Sequence, residues 1–76
     1  MEKFKDVIAG NTPVLVDFYA TWCQPCRAMH PVLEEVKKTL GDKIRIIKID
    51  IDRYQAVAEE YRIQSVPTLL LFRNGE

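Results

Sequence analysis

The sequence has no excess of charge, no long apolar stretch and only two cysteines, and each shortage closes off a class of protein. Lysine plus arginine equals aspartate plus glutamate at 11 each, so the formal net charge is zero. That leaves no basic footprint for nucleic acid. No apolar run approaches the roughly 20 residues a helix needs to cross a bilayer, so no membrane partner is expected. The start, Met1-Glu2-Lys3-Phe4-Lys5-Asp6, puts charges where a secretion signal needs an apolar segment, and a cytoplasmic protein is expected. Two cysteines cannot staple a disulfide-rich secreted scaffold. A loop as short as theirs gains only about 2 kcal/mol of chain entropy, against about 3 for a fifteen-residue loop. Such a pair is better suited to opening and closing. With a single histidine, His30, the one Cys-x-x-Cys pair cannot complete the tetrahedron of a structural zinc, so no metal is expected within one chain.

What remains is a chain of 76 residues, 47% of them hydrophobic, which allows one domain spanning 1–76. It contains no internal repeat, low-complexity tract or linker. A domain this small buries a modest share of its surface, so its stability is expected to be marginal.

Phe4, Val7 and Ile8 recur at helical spacing before Gly10-Asn11, giving a short helix near residues 2–9. Val14 to Ala20 is an almost unbroken apolar run of strand length, interrupted only by Asp17; such runs suit a strand covered on both faces. From Cys23 to Leu40 the period changes. Met29, Val32, Leu33, Val36 and Leu40 mark one helical face, with Gly41 as the stop and Pro31 inside as an expected kink. Lys43 to Ile51, rich in isoleucine, reads as a second buried strand. Asp52 with Gln55 three residues on resembles a capping box, and Tyr54, Val57, Ala58 and Tyr61 continue helically. Thr68 to Phe72 is a third strand whose leucines are expected in the core, followed by the hairpin signal Asn74-Gly75. Strand, helix, strand in this order predicts a parallel crossover unit and an α/β fold.

The chemistry sits where the first strand meets the long helix, at Trp22-Cys23-Gln24-Pro25-Cys26. Open α/β sheets form sites beyond the carboxyl ends of their strands. Residues three apart share a helix face within disulfide reach. Cys23 falls at the helix N-terminus, where free N–H groups and the helix dipole favour a thiolate, which marks it as the nucleophile. Cys26, one turn in, is shielded. Pro25, near the first helical position, pre-sets the turn. Asp17 and Lys48 are two charges in apolar strands, and burial would drive them together, as a structural ion pair or as part of the site. His30 and Arg27 read as solvated helix-face residues.

The segments VLVDFYATWCQPC (14–26), SVPT (65–68) and LLLFRNG (69–75) closely resemble thioredoxin in three separated motifs and in the right order. That resemblance implies a thioredoxin-like α/β sheet sandwiched by helices. It also implies an incomplete one, lacking the final strand, the C-terminal helix and an N-terminal strand. It implies that Cys23 attacks a protein disulfide and Cys26 resolves the mixed disulfide, with no bound cofactor and with a thioredoxin reductase-like partner to restore the dithiol. By the same resemblance Trp22 flanks the nucleophile and Pro67 is a cis-proline facing the cysteines. Val66 pairs its backbone with the substrate, beside Gln24 and Pro25. Asp17 moves protons to and from Cys26, with Lys48 beside it.

The sequence departs from the pattern at Gln24, where glycine is common, and at Tyr19, where many relatives have tryptophan. The first bears on redox poise and the second on packing. The missing elements leave 68–72 as an unprotected edge strand that invites a homodimer or a domain swap, in a weakened domain. Beside the disulfide reductase stand three other readings: an oxidase or isomerase, a non-catalytic fragment of the same fold, and a zinc clasp between two copies.

Overall fold

The structure is a computed structural model describing residues 3–76. Its elements run α1 (Phe4–Ile8), β1 (Val14–Tyr19), α2 (Gln24–Leu40), a single 3-10 turn at Gly41–Lys43, β2 (Arg45–Asp50), α3 (Gln55–Glu60) and β3 (Thr68–Phe72). The expected start of the first helix at residue 2 lies outside the described residues. The sheet order is β2-β1-β3. β1 runs parallel to β2, with Val16 opposite Ile47 and Asp17 opposite Lys48, and antiparallel to β3, with Val16 opposite Leu70. The crossover from β1 to β2 passes through α2, as the alternation of elements requires. The final strand, C-terminal helix and N-terminal strand implied by the resemblance are not among the described elements.

Alternation along the strands sorts the side chains onto two faces. On one, Val14, Val16 and Phe18 of β1 and Phe72 of β3 are buried with Ile8 of α1, and Ile47, Ile49, Val57, Tyr61 and Leu70 pack around them. Phe4, Tyr61 and Phe72 meet edge to face, with ring centroids 5.2–5.8 Å apart. Such pairs add about 0.5–1.5 kcal/mol each beyond the area they bury. They tie α1, the end of α3 and β3 into one layer.

The other face carries Leu15, Asp17 and Tyr19, and α2 crosses it. Leu33 and Cys26 are the buried residues of that helix. The expected apolar face is therefore rotated: Val32 and Leu40 are exposed, and the line that meets the sheet runs Cys26, His30, Leu33. α2 is too narrow to cover the sheet alone. Leu69 and Leu71, which share its side of β3, are 39% and 62% exposed, contrary to their expected place in the core. β3 stands at an edge of the sheet, as expected.

Two turns follow their residue chemistry. Gly41 ends α2 at φ +54°, a conformation glycine adopts without steric cost. After β3, Asn74 and Gly75 both take positive φ, and Arg73 and Glu76 exchange backbone hydrogen bonds of 3.0 and 3.1 Å. The tip of this turn donates Asn74 N–H to Gly10 and Gly75 N–H to Ile8, closing it against the end of α1.

One capping expectation is overturned. Asp52 lies in a turn, and α3 begins only at Gln55, behind Tyr54. The Asp50 carboxylate accepts the Asp52 N–H at 2.9 Å, and this local turn displaces the capping box. Gln55 reaches back to the Asp52 carbonyl instead, at 3.1 Å.

Candidate functional site

Cys23 and Cys26 are joined as a disulfide at the mouth of α2, their Cα atoms 5.3 Å apart. Ala20 accepts the backbone N–H of Cys23 at 3.1 Å, turning the chain sharply out of β1. Cys23 is then the N-cap of α2, with extended backbone, and its Sγ accepts the N–H of Cys26 at 3.2 Å. A sulfur thus occupies the place usually taken by a capping oxygen, on one of the orphan N–H groups that every helix start presents. Any charge on that sulfur meets a donor and the positive end of the helix dipole together. Pro25 sits in the first turn, where a missing N–H leaves nothing unsatisfied. Both cysteines are buried in a small cluster with Ala20, against which Tyr19, Ile51 and Val66 pack. Gln24 and Pro25 are exposed beside them.

Three further residues implied by the resemblance bear on this pair. The Val66–Pro67 peptide is cis, and Val66 abuts the cysteine cluster. Trp22 is 67% exposed, yet its indole is not loose: Nε1 donates to Asp52 Oδ2 at 2.9 Å. The carboxylate misread as a helix cap is instead an anchor for the tryptophan. Arg27, expected to be merely solvated, donates Nη2 to the carbonyl of Thr21 at 2.8 Å, bracing the same loop.

Asp17, in the middle of β1, has no solvent exposure at all. Burial pushes its carboxyl above the ordinary value of 3.8, opposed by the charges of His30 and Lys48. The expected buried ion pair with Lys48 does not form. Lys48 is opposite Asp17 in register, but its long side chain leaves the apolar layer and is exposed. The group that approaches Asp17 is His30, whose Nε2 is 3.9 Å from Oδ2. Sequence reasoning placed His30 on a solvated face. The signal available was its spacing, four residues after Cys26 and three before Leu33, on the line that meets the sheet. A cavity of about 220 Å³ opens beside it, lined by Tyr19, Ala20, Thr21, Cys26, Arg27 and His30.

Among the described residues, no group of three or more His, Cys, Asp or Glu side chains could hold a metal ion. No helix among them is long and apolar enough to cross a membrane.

A redox-capable cysteine pair capping a helix at the carboxyl end of a central strand, beside a cis-proline, defines a dithiol–disulfide α/β domain. The chain belongs to the thioredoxin family, whose profile matches residues 1–76. It is 54% identical over 75 residues to a thioredoxin-like protein of Synechocystis sp., covering 97% of this chain and 71% of that protein. It is 49% identical over 76 residues to thioredoxin Y1, chloroplastic, of Arabidopsis thaliana, covering 99% of this chain and 44% of that one. Among solved structures, Malassezia sympodialis thioredoxin superposes with a TM-score of 0.90 at 42% identity, covering 96% of this chain and 66% of that one. Mitochondrial thioredoxin 3 of Saccharomyces cerevisiae, in its oxidized form, gives 0.89 at 36%, covering 96% and 68%. The chain thus spans under half of the plant relative and about two thirds of the solved thioredoxins. Family membership together with the Cys23–Cys26 pair supports a thiol–disulfide oxidoreductase.

Proposed function

We propose that this chain reduces disulfides of other proteins by dithiol–disulfide exchange. The observation that carries the reading is the N-cap geometry: Cys23 Sγ accepts a helix N–H while Cys26 sits one turn deeper. In the dithiol state the Cys23 thiolate attacks one sulfur of a substrate disulfide. The new S–S bond joins Cys23 to the substrate, and the other substrate sulfur leaves as a thiolate that takes up a proton. Cys26 then loses its proton, which the family resemblance assigns to Asp17, and its thiolate attacks Cys23. The Cys23–Cys26 bond forms, the mixed disulfide breaks, and the second substrate sulfur departs. The substrate has gained two electrons and two protons, and the chain holds the disulfide seen in the structure.

Val66, Pro67, Trp22, Gln24 and Pro25 form the surface on which an extended substrate segment would lie. Lys48 contributes a positive potential towards Asp17 rather than a contact. A flavin or thiol-based reductase is the class of partner needed to return the dithiol. The exposed edge of β3, with Leu69 and Leu71 beside it, favours pairing with a second copy as a secondary property. Sedimentation across a concentration series tests that pairing.

The decisive measurement is dithiothreitol-driven reduction of insulin by this chain, with Cys23→Ser as control. A rate well above the control is expected. A rate equal to the control would make the chain a non-catalytic member of its family. Equilibration with glutathione separates a reductase from an oxidase or isomerase, since a strongly reducing potential belongs only to the first.

A further inference from the structure

Three buried polar atoms face one another without a hydrogen-bond partner: both carboxylate oxygens of Asp17 and Nε2 of His30. An unsatisfied buried polar group is destabilising, so three in one place call for an explanation. They are each other's remedy. At 3.9 Å, His30 Nε2 is within one small side-chain adjustment of donating to Asp17 Oδ2 or accepting from it. The imidazole also spans the boundary of the interior. Its Nε2 is buried against Asp17, while the side chain as a whole is 32% exposed. It borders the cavity it shares with Cys26 and a second one, of about 160 Å³, shared with Leu33, Glu34, Lys37, Ile46 and Lys48. Among the described residues, His30 is the titratable side chain with an ion-pair approach to Asp17, and Tyr19 of β1 packs edge to face on its ring in the shared cavity. Lys48 faces Asp17 from β2 without an ion-pair contact, Leu69 opposite it on β3 is apolar, and Arg27, Glu34 and Lys37 of α2 line only the cavities.

We propose that His30 is a positioning residue through which the enclosed carboxylate of Asp17 exchanges its proton with solvent. The proposal rests on the exchange chemistry given above, in which Asp17 takes the proton of Cys26. A carboxylate sealed from water can accept that proton once but must release it before the next cycle. His30 supplies the exit. The Asp17 proton passes to Nε2 as the Nδ1 proton leaves for water, and a tautomer change restores the ring. No electron moves in this step, and one proton enters as one departs. Imidazole suits the task because its charge changes within the physiological range.

The test follows the carboxyl carbon of Asp17 by carbon-13 NMR and the rate of insulin reduction, both against pH, in the unmodified chain, His30→Ala and His30→Gln. In both variants the Asp17 midpoint is expected to move upward, because the lowering influence of His30 is lost. The rate should fall several-fold between about pH 5 and 8. Added imidazole should restore it in His30→Ala, where the cavity is enlarged, and Gln should not substitute. An unmoved Asp17 midpoint in a folded variant overturns the proposal. So does a loss of rate that is uniform in pH and indifferent to imidazole, which would make His30 a packing residue. If the unmodified chain reduces no disulfide, the exchange reading fails by itself, and the NMR midpoints still decide whether His30 governs Asp17. Should both variants fail to fold, the unmodified chain decides. His30 ring and Asp17 carboxyl signals that titrate with no shared inflection overturn the coupling.

Discussion

The indole of Trp22 is tied to the carboxylate of Asp52 by a 2.9 Å hydrogen bond that links the loop before α2 to the turn after β2. The bond lies at the surface, so its share in stability is small, and its effect is on where a large exposed ring points. Asp52→Ala is expected to change the unfolding free energy by less than about 1 kcal/mol. The fluorescence anisotropy of Trp22 should drop as the ring gains freedom. Insulin reduction should slow, while exchange with a small disulfide, which needs no docking surface, stays unchanged. Equal losses on both substrates would show that Asp52 acts on the cysteines rather than through Trp22.

How far the sequence carried this reading differs from element to element, for physical reasons. The three strands were legible because short apolar runs bounded by turn residues favour a strand, and the stop at Gly41 because few residues take its φ. The cysteine pair was legible as chemistry because spacing and helix start together specify it. Asp52 was misread because the Asp50 carboxylate closes a turn on the Asp52 N–H and the distant Trp22 indole takes the Asp52 carboxylate, and nothing local announces the second partner. Val32 and Leu40 were placed inward because apolarity shows that a residue can be buried, not that a neighbour exists to bury it. Lys48 was placed too deep for a similar reason: strand parity fixes the Cβ direction, and a long flexible side chain need not follow it. His30 was passed over because a lone histidine carries no signal until a tertiary contact gives it a partner.

Asp17 sets the pH dependence of stability. Its carboxyl titrates above the ordinary value in the folded state, chiefly because burial disfavours the charge. The folded chain therefore binds this proton more tightly than the unfolded chain does. Stability from this group is complete at acid pH and is lost as pH climbs through the raised folded value. Asp17→Asn removes that slope. Urea midpoints for the two proteins should lie close together in acid and separate towards neutral and alkaline pH. The variant should become the more stable there, because a neutral amide carries no buried charge. A variant less stable than the parent throughout this range would mean that the charged form is well solvated in the fold.

Neighbouring residues on β3 should respond in opposite ways to truncation. Phe72 is buried in the aromatic layer with Phe4 and Tyr61, whereas Leu71 points to the side that α2 leaves uncovered. Phe72→Ala is expected to cost about 3–5 kcal/mol, enough to unfold a domain of this size. Leu71→Lys should stay within about 0.5 kcal/mol, and a charge on an edge strand should also raise solubility. Thermal melts with solubility measurements check both. A large loss on Leu71→Lys would reveal a partner, such as a second copy, seated on that strand.

Cys23 combines two duties that substitution can separate. As nucleophile it needs sulfur; as N-cap it needs only an acceptor for the Cys26 N–H, a part that serine plays as well or better. Cys23→Ser and Cys23→Ala should both abolish insulin reduction, since neither forms the mixed disulfide. Compared under reducing conditions, so that the disulfide contributes to neither, the serine variant should match the dithiol parent. The alanine variant should be less stable by about 1 kcal/mol, the usual loss for a removed cap. Oxidising the parent should add about 2 kcal/mol at most, because so short a loop restrains little of the unfolded chain. Denaturant titrations of the three proteins with and without reductant give all these differences. Equal stabilities for serine and alanine would mean that the Cys23 sulfur is not capping α2 once the disulfide is open, and the geometric argument for a favoured thiolate at that position would go with it.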